Sequence, residues 1–240
     1  LESGLDVTAG GTLYNLSSVN ALGMADVADS LVAIDRLVFG ERCVTLPELA
    51  QAVRSDYAGA GSLAAWAAAG PHYGNDIDEP DQIVTLLAED FCRQVDVYRN
   101  PRGGRFQSGM YSVHHHASRG EMTGALPSGR HAGLALANAL SPCQGRDTTG
   151  PTALILSATK LNHTMLGNGT VLDLKFHPSF FEDASRRQAF GTLVESYFSE
   201  ENRLFWEYTR QRSVEESPED PETAAADFAP LAAQRVDRAG

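Results

Sequence analysis

Cysteine is scarce in this chain, and its few cysteines are far apart. Cys43, Cys92 and Cys143 are odd in number, and none belongs to a C-x-x-C pair. A disulfide framework needs an even set of cysteines, and a structural zinc site needs closely spaced thiol or imidazole ligands. The sequence therefore predicts neither, and the composition fits a reducing cytoplasm best.

Long apolar runs and an excess of positive charge are also lacking. No apolar run is long enough to span a bilayer, and LESGLDVTAGG at the start lacks the charged and apolar regions of a signal peptide. The formal net charge is -12 at pH 7, which would repel nucleic acid and an anionic membrane surface. We therefore expect a small-molecule ligand, with no nucleic acid and no membrane as a partner.

Helical periodicity dominates the chain up to residue 100. A helix is predicted behind Asp26, taken as its N-cap, because four apolar residues recur at helical spacing and should form a buried stripe: Leu31, Ile34, Leu37 and Val38. Thr45 and Glu48 stand at capping-box spacing and mark the start of a second helix. Further helices are predicted over residues 62–70 and 81–98.

The pattern changes after Gly104, where strand-forming residues appear. RFQSGMYSVHHHAS alternates with period two, while TALILS and GTVLDLKF are short apolar runs typical of buried strands. A helix is predicted again over RQAFGTLVESYF, and the polar, acidic residues 199–240 are expected to be solvated. Helices alternating with short strands predict an α/β architecture whose loops at one end of the strands build a site.

The three consecutive histidines 114–116 first suggest a metal site. Adjacent side chains of an extended strand point to opposite faces, so three histidines in a row cannot converge on one ion. No metal is therefore predicted. Two interpretations of this segment stay open, a core strand and a strand that turns one or two histidines toward a pocket.

Other clusters also allow two interpretations. GNDIDEPD resembles part of a calcium loop without its ligand spacing, and carboxylates that complement a helix dipole explain Glu79 and Asp81 more simply. Cys143, beside Arg146, has the most basic setting of the cysteines, although a buried, unreactive thiol is the commoner outcome. PRGGR and PSGR lack the spacing of phosphate-binding loops.

Several longer blocks resemble a known family, in order and with agreeing spacing. They are GGTLYNLSSVNALGMADVADSLVAIDRLVF, HYGNDIDEPD, ALPSGRHAG, SPCQGRDTTGPTA and NGTVLDLKFHPSFF. Together they resemble the C-terminal half of a glycyl radical enzyme of the pyruvate formate-lyase-like family. We therefore expect residues 1–198 to form the C-terminal part of its barrel domain. Residues 199–240 are expected to be a divergent acidic tail in place of the usual glycine radical region.

The resemblance implies part of a ten-stranded α/β barrel, the C-terminal half only. It also implies a glycyl radical, installed after translation by an activating enzyme that uses S-adenosylmethionine and an iron-sulfur cluster, with no other bound cofactor. The radical passes to a cysteine that takes hydrogen from a small substrate. The full-length proteins of the family are expected to be homodimers. SPCQGRDTTGPTA would be a loop leading to a barrel strand, held by its prolines and by Asp147.

The two radical carriers of the family are not matched. The family's cysteine lies in a Gly-Cys-Val/Ile-Glu type loop upstream of the point that Gly10 matches. RCVTL has Arg42 and Thr45 in place of that Gly and Glu, so Cys43 is rejected as the thiyl residue. RVDRAG lacks the Tyr-Ser of the radical loop, so Gly240 is not assigned as the radical site. The catalytic residues thus stay unassigned.

The predicted function is that of a fragment of a radical lyase or dehydratase, inactive alone, which cleaves a C–C, C–O or C–N bond of a small organic substrate. A non-catalytic binding or scaffold protein derived from the family is the alternative. By resemblance, Tyr111 matches a tyrosine that borders the substrate in related dehydratases. Strand alternation would place Val113 and His115 on the same face, so these three residues are the predicted substrate-binding residues. The alternative is that they pack outward against the helices while Ser112, His114 and His116 face the centre of the barrel.

Overall fold

The computed structural model describes residues 4–198, which form helices packed on a small parallel sheet. Residues 199–240, and Gly240 with them, lie outside the described residues. The elements are β1 (Ser17–Asn20), α1 (Met24–Ile34), α2 (Leu46–Arg54), α3 (Gly61–Ala68), α4 (Asp78–Asp96), β2 (Phe106–Gly109), α5 (His115–Glu121), α6 (Pro151–Thr159) and α7 (Ala184–Tyr197).

The helices predicted before residue 100 are confirmed, and so is the one near the end of the described chain. The capping box of α2 forms as expected: Thr45 accepts from the Glu48 backbone N–H, and Glu48 accepts from the Thr45 N–H at 2.9 Å. Since α2 starts at Leu46, Cys43 does precede a helix. The N-cap predicted for α1 is wrong, because Gly23 holds that position and Asp26 lies inside the first turn.

The predicted apolar stripe of α1 is only partly buried. Leu37 is 0% exposed, but Leu31 is 45% exposed. The face that packs on α4 instead carries the small side chains of Ala25 and Ala28, which let the two helices approach closely. Periodicity located this helix correctly, but it did not identify the face that packs.

The sheet has α/β character, because its two strands are parallel and α1 to α4 lie between them in the chain. Ser17 pairs with Phe106, and Asn20 pairs with Gly109 at the carboxyl ends. Thr170 bridges to Met110 in parallel and extends the pairing by one residue. Among residues 4–198 this is less than half of the ten strands that the family resemblance implies.

Two of the three predicted strands are not strands in the structure. TALILS belongs to α6, where Pro151 occupies the first turn behind Gly150. Of GTVLDLKF, only Thr170 pairs with a neighbouring strand. A short apolar run fits a buried helix as well as a buried strand. Here the segment is a helix, and it buries Ala153, Leu154, Ile155 and Ala158.

The main core lies between the helices and one face of the sheet. Met110 is 0% exposed and packs in one cluster with residues of α1, α4 and α6, among them Ala28, Val84 and Ala158. Ser108 is buried on the same face. On the opposite face of the β1–β2 pair, the Ser18 and Asn20 side chains of β1 are exposed. No helix within residues 4–198 is long and apolar enough to cross a membrane.

Candidate functional site

The strand predicted through residue 116 ends earlier than expected. β2 stops at Gly109, Val113 has φ 53 and is 73% exposed, and α5 begins at His115. The left-handed conformation of Val113 ends the extended backbone, so strand alternation does not place Tyr111, Val113 and His115 on a common face. That part of the sequence prediction is wrong.

The histidines therefore belong to a helix start and not to a strand. His114 is the N-cap of α5, its ring lies 5.1 Å from that of His115, and His116 Nδ1 lies 3.0 Å from the Ser112 hydroxyl. Residues 4–198 contain no group of three or more His, Cys, Asp or Glu side chains arranged to hold a metal ion.

Tyr111 lies at the carboxyl end of β2, beside two asparagine amides. Asn168 Nδ2 donates to the phenol oxygen at 3.2 Å and to Asn20 Oδ1 at 3.0 Å, while the Ser18 hydroxyl donates to Asn168 Oδ1 at 2.9 Å. Hydrogen bonds from the Asn20 and Asn168 amides lower the pKa of Tyr111, because they stabilise the phenolate. We call Ser18, Asn20, Tyr111 and Asn168 the amide–phenol cluster.

A glycine makes room for this cluster. A methyl group at Gly109 would collide with the Asn20 amide oxygen and would stand 3.0 Å from Asn168 Nδ2. The backbone holds Asn168 in place as well, since its N–H donates to the Ser108 carbonyl at 2.9 Å. The cluster is therefore built into the sheet and is not a chance contact of surface side chains.

A second polar cluster is buried under α1. Asp29 accepts from the Tyr73 N–H at 2.9 Å and lies 3.0 Å from His72 Nδ1, and Asp26 accepts from the Ala137 N–H at 2.6 Å. Burial raises the pKa of Asp26. These carboxylates bind α1 to two distant segments of the chain, a role that their sequence spacing did not reveal.

Cys143 lies against these two carboxylates and not in a basic setting. Desolvation, followed by the negative charges of Asp29 and Asp26, raises the pKa of Cys143 well above its ordinary value. Arg146 instead donates to the Ala68 carbonyl. The thiol is therefore protonated and unsuited to act as a nucleophile, as the simpler interpretation of the sequence expected.

The turn-rich segment SPCQGRDTTGPTA is held by Asn75. The Asn75 amide oxygen accepts from the Thr148 and Thr149 N–H groups at 2.9 and 3.0 Å, and its amide nitrogen donates to the His72 and Arg146 carbonyls. Asp147, which was expected to hold this loop, is exposed. The block HYGNDIDEPD thus holds the block SPCQGRDTTGPTA in place through Asn75. This loop leads into α6, whereas a barrel strand was expected there.

The basic side chain of PSGR, Arg130, forms hydrogen bonds with backbone carbonyls of its own loop. Arg130 donates to the Gly124 carbonyl at 2.8 Å, to the Gly120 carbonyl at 3.0 Å and to the Leu134 carbonyl. A buried guanidinium whose donors are used by backbone carbonyls stabilises a loop and has little left for a phosphate group. The interpretation of PSGR as a phosphate-binding loop is therefore not supported.

The acidic cluster GNDIDEPD surrounds a lysine. Asp78, Glu79 and Asp81 lie in the first turn of α4, as the helix-dipole interpretation predicted. Lys160 Nζ lies 2.8 Å from Asp76, 3.0 Å from Asp78 and 2.9 Å from the buried Asp81. An ammonium therefore occupies the position that a calcium ion would need.

Replacing Lys160 by methionine is expected to lower the free energy of unfolding by about 2 kcal/mol at pH 7, because Asp81 would stay buried without its cation. The chain's other lysine, Lys175, is exposed and has no ion pair with a carboxylate among residues 4–198, so Lys175→Met is the matched control. Urea unfolding of both variants measures the difference, and equal stabilities would contradict the expectation.

The same pair of variants tests a pH dependence. The three carboxylates raise the pKa of Lys160, so the stability they provide is complete below the ordinary lysine pKa of about 10.4 and is lost as the pH rises through the raised value. Between pH 9 and about 11.5 the unmodified chain should lose more stability than Lys160→Met. A parallel decline of the two proteins would show that Lys160 contributes nothing to alkaline unfolding.

Comparison with known proteins identifies the family. The family model described as pyruvate formate lyase-like matches residues 1–120, and the model described as glycine radical matches residues 136–226. The chain belongs to the glycyl radical enzymes of the pyruvate formate-lyase-like family.

Relatives of this glycyl radical enzyme chain include dehydratases. It is 34% identical over 205 residues to (2S)-3-sulfopropanediol dehydratase of Klebsiella oxytoca, covering 83% of this chain and 25% of that protein. The structure of glycerol-bound B12-independent glycerol dehydratase from Clostridium butyricum superposes with a TM-score of 0.78 at 39% identity. That of hydroxyproline dehydratase from Clostridioides difficile, with trans-4-hydroxy-L-proline bound, gives 0.78 at 31%.

Each of the two superpositions covers 82% of this chain and 25% of the other. This glycyl radical enzyme chain therefore spans about a quarter of the length of the relatives it matches. Of its candidate site residues, sequence analysis found Tyr111 but missed Asn20 and Asn168. Their blocks, SSVN and NGT, were noticed, but residues 148 positions apart give no local sign that they touch.

Proposed function

We propose that this chain forms one wall of the substrate pocket of a radical dehydratase or lyase that acts on a small hydroxyl-bearing molecule. One observation carries the proposal: the sheet face opposite the core has a phenol and two amides at the carboxyl ends of its parallel strands. Ligands of parallel α/β proteins bind at that end of the sheet.

The residues of this wall suit such a substrate. A phenol and carboxamides can hydrogen-bond hydroxyl groups and can hold a small polar molecule in one orientation, while the buried sheet and helices behind them exclude water from that side. In this family a glycyl radical, installed by a separate activating enzyme, would supply the hydrogen-abstracting chemistry. The family relationship also supports a homodimer as the complete enzyme.

Tyr111 is the residue that we assign to the substrate. It is half-buried and lies on the sheet face opposite Met110, which packs into the helices. Val113 and His115 follow in a turn and in the first turn of α5, so they have no place on this sheet face. Their assignment rested on strand alternation and is not part of the proposal.

A hybrid enzyme tests the proposed function. Residues 4–198 of this chain would replace the matching quarter of the Clostridium butyricum glycerol dehydratase, whose own remaining sequence stays in place. After anaerobic activation, electron paramagnetic resonance reports the radical, and product formation is measured with glycerol, (2S)-3-sulfopropanediol and trans-4-hydroxy-L-proline. We expect turnover of at least one of them, and no product from this chain alone.

The hybrid also tests the role of Tyr111. Tyr111→Phe should lower kcat/KM by roughly tenfold, which is the effect of losing one hydrogen bond to the substrate. Lys175→Met is the control variant. A hybrid that is folded and carries the radical, but converts none of these compounds, would contradict the proposed function.

A further inference from the structure

Tyr111 has an unusual hydrogen-bonding environment for a phenol at a ligand-facing surface. Its oxygen accepts from Asn168 Nδ2 at 3.2 Å, and the same amide nitrogen donates to Asn20 Oδ1 at 3.0 Å. A phenol has one O–H donor and two acceptor lone pairs. Since Asn168 donates to the phenol oxygen, the O–H group is left to donate to something else.

The direction of these hydrogen bonds follows from the contacts of the amides themselves. Asn168 Oδ1 accepts from the Ser18 hydroxyl at 2.9 Å, and Asn20 Oδ1 accepts from Asn168 Nδ2 at 3.0 Å. Both amide oxygens therefore accept hydrogen bonds, and the Asn168 amide nitrogen is the group that donates to the phenol. A chain of hydrogen bonds that runs in one direction polarises its last member, which here is the Tyr111 O–H.

We propose that Asn168 is a positioning residue that, together with Asn20, makes Tyr111 a hydrogen-bond donor to an oxygen acceptor on the substrate. The inference rests on the proposed function in so far as this sheet face borders the substrate. It narrows the substrate class to molecules that present a hydroxyl, carboxylate or sulfonate oxygen to Tyr111.

The space around the cluster supports this role. Gly109 stands next to Asn20 and Asn168, where any side chain would displace the amides from the phenol. The carbonyl of Ser108 and the adjoining turn hold the Asn168 backbone, so its side chain starts from a fixed point. The Asn20 and Asn168 amides do not contribute to the packing of the core, because they lie on the sheet face away from it.

The pKa of Tyr111 in the full chain is the first test. Tyrosines labelled with carbon-13 are titrated by NMR, and Tyr111→Phe assigns the signal. The unmodified chain should show Tyr111 below the ordinary tyrosine pKa of about 10, and Asn168→Ala should move it back toward that value. Asn168→Asp should raise it further, because a carboxylate would accept from the phenol and oppose the phenolate.

The matched control is Asn162→Ala, an exposed asparagine of the same segment that only caps the turn at Thr164. It should leave the Tyr111 titration unchanged. A Tyr111 pKa at or above about 10 in the unmodified chain would overturn the inference, and this measurement needs no folded Asn168 variant. An Asn168→Ala titration equal to that of the unmodified chain would overturn it as well.

The hybrid enzyme supplies a second, kinetic test. Asn168→Ala should lower kcat/KM by several-fold when Tyr111 is present and should have no further effect in the Tyr111→Phe background, because it acts through the phenol. Additive effects would overturn the positioning role. A hybrid without turnover would instead overturn the proposed function and with it the substrate role of Tyr111, whereas the titration of the chain reports on Asn168 alone.

Discussion

Gly104→Ala is expected to lower the free energy of unfolding by at least about 3 kcal/mol, because the new methyl group would overlap the backbone carbonyl oxygen of Asn15. A flexible side chain could move aside, but this oxygen belongs to the segment that leads into β1. The Asn100 amide also donates to it at 3.1 Å, so the carbonyl is held on its other side.

The surroundings of Gly104 explain why relaxation is difficult. Asn100 is buried, and its amide oxygen accepts from the Arg102 and Gly104 N–H groups at 3.0 and 2.9 Å. The Asn15 and Arg102 side chains complete the connection, with Arg102 Nε donating to Asn15 Oδ1 at 2.7 Å. The turn NPRGG therefore sets the distance between the starts of β1 and β2, and moving it would separate the strands.

Urea unfolding followed by circular dichroism measures the Gly104 effect. Gly124→Ala is the control, since a methyl group at Gly124 meets nothing within 4 Å and its backbone needs no left-handed conformation. We expect the control to stay within about 0.5 kcal/mol of the unmodified chain. Equal stabilities of the two variants would show that the Asn15 segment does not pack as the structure has it.

Asn75→Ala is expected to lower the free energy of unfolding by about 3 kcal/mol, because five hydrogen bonds of one buried side chain are lost together. The carbonyls of His72 and Arg146 would lose a donor, and the second half of the 141–150 loop would lose its contacts with Asn75. The N–H groups of Thr148 and Thr149 can turn to water, since both residues are exposed, which keeps the cost below the sum of the separate bonds.

Two measurements check this prediction. Chemical unfolding gives the stability, and trypsin cleavage after Arg146 should become much faster in Asn75→Ala because the loop opens locally. Asn75→Asp keeps the acceptor for Thr148 and Thr149 but loses the donors to the His72 and Arg146 carbonyls. Its stability and its cleavage rate should therefore lie between those of the unmodified chain and those of Asn75→Ala. Asn162→Ala, which removes an exposed turn cap, should cost no more than about 1 kcal/mol and leave the cleavage rate unchanged.

Local sequence signals determined the helices well. Thr45 and Glu48 sit in the same turn of the chain, and their capping box formed where it was predicted. The long helix α4 followed from its periodicity, because a helix of that length repeats its pattern often enough to be recognised. The family, too, followed from the sequence, because several blocks in order carry far more information than one motif.

Short strands and contacts between distant segments were decided only by the tertiary structure. The sequence TALILS is compatible with a helix or a strand. In the structure it lies in α6, which packs against residues far away in the chain. The strand after Gly104 ends at residue 109, and Val113 takes a left-handed conformation that its residue type does not predict. Tyr111, Val113 and His115 therefore do not share a face of the sheet.

The site itself shows the same division. The sequence singled out Tyr111 on its own, but only the fold brings Asn20 and Asn168 to its oxygen, across 91 and 57 positions of the chain. Likewise, Cys143 stands beside Arg146 in the sequence, whereas folding places it against Asp26 and Asp29 on α1. Capping and periodicity depend on neighbours within a few residues, so the sequence alone determines them. Hydrogen-bond direction and pKa depend on partners that only tertiary packing supplies.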